Sequence, residues 1–125
     1  MGRVSQLAGV AHNLAHHAGS GLSYISPHLA QALWAKGVET TEIDLLAEAP
    51  YPSQAVEIQP LRLALATLRE TARTLLAKGG FSDSDVTSMI LYATPVPWDK
   101  SGYSLHTRVV LTSTTGRTYD SGWLQ

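Results

Sequence analysis

The chain has 125 residues, 44% of them hydrophobic and 15% charged, with nine Lys and Arg against ten Asp and Glu and no cysteine. This size suits one domain spanning 1–125 with a real core, and the composition excludes a polyelectrolyte tail or a coiled coil. The missing cysteines exclude disulfides, iron–sulfur clusters, zinc fingers and thiol catalysis, and no apolar run reaches the ~20 residues of a membrane span.

Residues 4–18 carry a helical period. Val4, Leu7, Ala8, Ala11, Leu14, Ala15 and Ala18 recur at i, i+3, i+4 and i+7. Gly19-Ser20-Gly21 predicts the stop of this helix, because glycine accepts the left-handed conformation at a C-terminus. A signal peptide is not expected, since His12, Asn13, His16 and His17 interrupt the apolar stretch. With no signal and no cysteine, a cytoplasmic location is expected.

Ser26-Pro27 reads as a cap and first position of a second helix over 27–36, with Leu29, Ala30, Leu33 and Trp34 inward and Gly37 as its end. Residues 38–46 predict a strand in which Thr41, Ile43 and Leu45 alternate with Glu42 and Asp44. The prolines at 50 and 52 mark a loop. A long helix follows from Gln59 to Lys78, with Leu61, Leu65, Leu68, Ala72, Leu75 and Leu76 inward and Gly79-Gly80 closing it.

Residues 87–94 read as a strand, with Met89, Leu91 and Ala93 on one face and Ile90 and Tyr92 on the other. Residues 95–102 read as a loop because of Pro95 and Pro97. Residues 104–113 and 117–124 predict a hairpin around the turn at 113–116. On its second arm, Tyr119 and Trp123 are expected to share a face. The expected fold is α+β: three helices on a mostly antiparallel four-stranded sheet, in the order α-α-β-α-β-β-β.

Four groups of residues are candidates for function. His12 and His16, at i and i+4, have a spacing that suits a transition metal, but the pair lacks the glutamate of HExxH and needs a third ligand such as His28 or His106. Solvent-facing histidines are the plainer reading, and no metal or other cofactor is expected. Arg62, Arg69 and Arg73 fall within about 40° on the long helix. With Arg108 they form a candidate anion or nucleic-acid site. Glu70 dilutes that field, and a solvated helix face is the simpler alternative.

The third group is aromatic. Ile90 and Tyr92 make the strand at 87–94 apolar on both sides, so a helix layer on one face leaves the other to be covered. Tyr92, Tyr119 and Trp123 are the candidate anchors of a self-association surface. The halves also differ in charge: residues 1–57 hold two bases and five acids (−3), and residues 58–125 hold seven bases and five acids (+2). The fourth group is catalytic. Ser, His and Asp are all present, but no GxSxG elbow occurs, and Asp83-Ser84-Asp85 is too short for a calcium loop.

Gly19-Ser20, Leu29-Ala30, Gly37, Glu42-Ile43-Asp44-Leu45 and Thr94-Pro95 together resemble the phosphate loop, first helix, second strand and second flavin-contacting loop of the flavodoxin-like FMN reductases. The resemblance covers about a third of the chain. It implies flavin or nucleotide binding. It departs from that family at residues 4–18, where a helical period replaces the buried strand ahead of the phosphate loop. The expected function is therefore a non-enzymatic binding or assembly module that forms homo-oligomers. Nucleic-acid binding and flavin or nucleotide binding stand as the alternatives.

Overall fold

The computed structural model describes residues 2–27, 30–31, 41–46, 59–99 and 102–124. Its elements are α1 (Gly2–Leu22), β1 (Thr41–Asp44), α2 (Gln59–Lys78), β2 (Val86–Asp99), β3 (Gly102–Ser113) and β4 (Thr118–Asp120), with short 3₁₀ turns at Ser23–Ile25 and Asp83–Asp85. The strands form one antiparallel sheet in the order β1-β2-β3-β4.

The α+β class holds, but the expected helix count and order do not. Among the described residues two long α-helices, not three, pack on the sheet, in the order α-β-α-β-β-β. Of the expected helix over 27–36, only Pro27, Ala30 and Gln31 are described, all helical. Trp34 and Gly37 lie outside the described residues.

Three local expectations also change. First, α1 runs through Gly19-Ser20-Gly21 to Leu22. Neither glycine has positive φ; among the described residues only Gly80, Gly116 and Gly122 do. Leu22 is fully buried, so continuing the helix places another apolar side chain in the core. Second, β2 continues through the expected loop at 95–102 to Asp99. The Leu45 amide donates to the Met89 carbonyl across the β1 side of β2. Alternation then points the backbone groups of Leu91, Ala93, Pro95 and Pro97 to that same side. The two prolines therefore remove no bond from the β2–β3 ladder. Third, the features resembling an FMN reductase are not loops here. Gly19-Ser20 lies inside α1, Thr94-Pro95 inside β2, and the sheet is antiparallel rather than parallel.

α2 matches its expected bounds and buries Leu61, Leu65, Leu68, Ala72 and Leu76. It ends in a Schellman arrangement. The Phe81 amide donates to the Leu76 carbonyl at 2.8 Å, the Gly80 amide to Ala77 at 3.0 Å, and Gly80 has φ of +84°. Phe81 and Leu76 are both buried, which supplies the apolar contact of that motif.

The helices cover one face of the sheet. Leu7, Val10, Ala11, Leu14, Ala15 and Ala18 of α1 join the α2 leucines, Ile43 of β1, Met89, Leu91 and Ala93 of β2, and Leu105, Val109 and Leu111 of β3 in one apolar cluster. The small side chains of α1 let its backbone approach β3 closely: a Cβ added at Gly19 would sit 3.3 Å from Thr107 Oγ1. No described helix is long and apolar enough to cross a membrane.

Candidate functional site: the open sheet face

Alternation along β2 and β3 sends Ile90, Tyr92, Thr94 and Val96, and His106, Arg108, Val110 and Thr112, to the face away from the helices. All are half-buried. Cross-strand pairing explains this state. Ile90 lies opposite Val110, Tyr92 opposite Arg108, Thr94 opposite His106 and Val96 opposite Ser104, so neighbours shield one another. No described element roofs this surface.

Electrostatics organise the same face. Glu42 of β1 pairs with Tyr92, which pairs with Arg108, so an acid, an aromatic ring and a guanidinium form one row across three strands. The Arg108 guanidinium carbon lies 5.7 Å from the centre of the Tyr92 ring, within cation–π range. Arg108 also grips Asp120 with both arms of a fork. Nε donates to Oδ1 at 2.9 Å, and Nη2 donates to Oδ2. That hydrogen bonding holds the Asp120 carboxyl below its usual range against the opposing effect of burial, and the Gly122 amide helps by donating to Oδ1. The same pair raises the Arg108 pKa. In the next row, Asp44, Ile90, Val110 and Asp120 lie side by side.

The three expected anchors are not on one face. Tyr92 lies on the open face. Tyr119 is opposite Leu111 and packs against the apolar cluster on the helix side. Trp123 is 45% exposed. The second arm of the hairpin does not keep simple alternation. Asp120 pairs with Val110 and Leu124 bridges Thr107, so four residues there match three of β3. The extra residue falls at Ser121-Gly122, where Gly122 has φ of +71° and Ser121 Oγ accepts the Val109 amide. Ile90, Val96, Val110 and Glu42 complete the face. Only the pairing register reveals that they are neighbours.

The expected arginine site is likewise divided. Arg62 is exposed and Arg69 half-buried on α2. Arg73 donates to Glu70 at 2.9 Å and to Asp83 at 3.3 Å, which raises its pKa. Arg108 lies on the other side of the sheet from α2. His12, His16 and His17 are exposed on α1, and among the described residues no group of three or more His, Asp or Glu could hold a metal. Asp120 is engaged by Arg108. A groove of about 390 Å³ lies between α1 and α2, lined by His17, Ser20, Thr67, Leu68 and Thr71 among others. The hydroxyls of Thr67 and Thr71 donate to carbonyls one turn back on α2, so their protons are not offered to the groove.

No protein-family model matches the chain, and neither does a curated protein or a solved structure.

Proposed function

We propose that this chain is a non-enzymatic assembly module that forms homo-oligomers through the open face of its sheet. The observation that supports this reading is the half-buried face on which Ile90, Val110 and Tyr92 adjoin, with Val96 beyond the Thr94–His106 pair, and which no described element covers. β2 has 14 residues and β3 has 12, so the ribbon they form is on the order of 40 Å long. A cytoplasmic setting belongs to the same proposal.

Light scattering on the purified protein tests it. The expected result is a dimer or larger assembly at high micromolar concentration that Val110→Lys dissociates without loss of helix signal. The Val110 side chain points away from the core, so a charge there disturbs the interface rather than the fold. A wild-type chain that stays monomeric at that concentration removes the proposal.

The alternatives have less support. Nucleic-acid binding needs its arginines on one surface, whereas Arg62, Arg69 and Arg73 lie on α2 and Arg108 lies on the opposite side of the sheet.

A further inference from the structure

This inference rests on the self-association reading and specifies its geometry. We propose that two copies pack face to face about a two-fold axis running along β2, with Glu42 of each copy meeting Arg108 of the other. The row Glu42–Tyr92–Arg108 is polarised across the sheet, acid on the β1 side and guanidinium on the β3 side. In the aligned class of sheet packing the strands of the two sheets lie within about 30° of each other, which leaves two face-to-face two-folds. An axis across the strands through this row lays β1 over β1, so that Glu42 opposes its own copy and Arg108 opposes Arg108. An axis along β2 reverses the lateral order. It sets β1 over β3, with Glu42 over Arg108 at both ends and Asp44 over Val110, and places Tyr92 opposite its own copy on the axis.

Arg108 has a free edge for this contact. Asp120 takes Nε and one Nη2 donor, and a guanidinium carries five N–H groups in a planar fork. The Nη1 side remains for a second carboxylate, and the guanidinium carbon stays 5.7 Å from the centre of the Tyr92 ring. Glu42 is exposed on β1 and reaches outward from the same row. Like charges face to face are a strong barrier to the other two-fold, so the charge order selects one packing as well as favouring it.

Charge reversal in two separate chains provides the test. The variants are E42R and R108E/D120N, the second change sparing the new glutamate a carboxylate neighbour. Dimer Kd is measured by sedimentation equilibrium, and folding by circular dichroism. Each variant alone is expected to show a dimer Kd raised about tenfold or more. An equimolar mixture is expected to recover a heterodimer near wild-type affinity, because both contacts become opposite in sign again. A dimeric wild type whose Kd neither reversal moves, or a mixture that fails to recover, overturns this geometry and leaves self-association standing. A monomeric wild type ends the broader reading itself. If R108E/D120N does not fold, Glu42 alone decides: E42R must weaken the dimer more than E42Q, and an unchanged Kd in E42R overturns the proposal.

Discussion

Thr107 Oγ1 donates a 2.8 Å hydrogen bond to the Ala15 carbonyl, joining the middle of β3 to the middle of α1 across 92 positions of sequence. Thr107 is fully buried among leucines and valines, so its hydroxyl must find an acceptor there. The bond is possible because Gly19, one turn after Ala15, leaves room for the threonine. This contact fixes which part of β3 lies beneath α1. It thereby determines which residues remain on the opposite face.

Replacing either side of that contact should weaken the fold. Thr107→Val keeps the shape and loses the bond, at a cost of about 1 kcal/mol. Gly19→Val overpacks the approach, at a cost of about 1–3 kcal/mol. Urea midpoints measure both. The double variant should fall short of the sum, because the two changes disturb one contact.

The Arg108–Asp120 pair predicts a pH dependence. Asp120 has its pKa lowered in the folded state, chiefly by the hydrogen bond from Arg108. The folded protein therefore holds this proton less tightly than the unfolded chain. Its contribution is complete above the ordinary aspartate value of about 4 and is lost as pH falls through the lowered value. The difference in urea midpoint between wild type and Asp120→Asn should be largest near neutral pH and close below about pH 4. A difference that stays constant down to strongly acid pH contradicts the assignment.

Gly80 ends α2 in the left-handed region, where a Cβ is penalised. Gly80→Ala should cost about 1–2 kcal/mol by thermal or urea unfolding. The space around its Cβ position is open, so the cost is one of backbone conformation and not of packing. Gly80→Asn should recover part of it, since asparagine tolerates that region better than alanine does.

Pro95 and Pro97 are expected to blunt the side of β2 that carries no described partner beyond Ala93. Past Ala93 no described strand pairs with the β1 side of β2, and the prolines fall where amides would project from that side. Replacing both by valine should supply two donors to the edge. Turbidity and thioflavin fluorescence should then rise with protein concentration, while the wild type stays clear. Equal behaviour of the two chains refutes the protective role.

Much of the fold was legible because local physics dominates in those segments. The bounds of α2 follow from one leucine stripe between a proline in its first turn and two glycines, all within twenty-one residues. That Leu105, Thr107, Val109 and Leu111 share one face follows from strand alternation alone. The stop assigned to Gly19–Gly21 and the loop assigned to 95–102 rest on residue types that permit a break without requiring one. At Gly19 the packing of Thr107 and the burial of Leu22 keep the helix going. At Pro95 and Pro97 the deciding fact is which way the amides of β2 face, and that depends on where β1 pairs.

The candidate surface divides in the same way. Periodicity by itself determined that Ile90 and Tyr92 oppose Met89 and Leu91, because side-chain direction in a strand repeats every two residues. Only the tertiary structure decided that both helices occupy the Leu91 side, that Glu42, Tyr92 and Arg108 share a row, and that Tyr119 and Trp123 part company at Gly122. Those outcomes depend on inter-strand register and layer order, which are set by contacts between residues far apart in the chain.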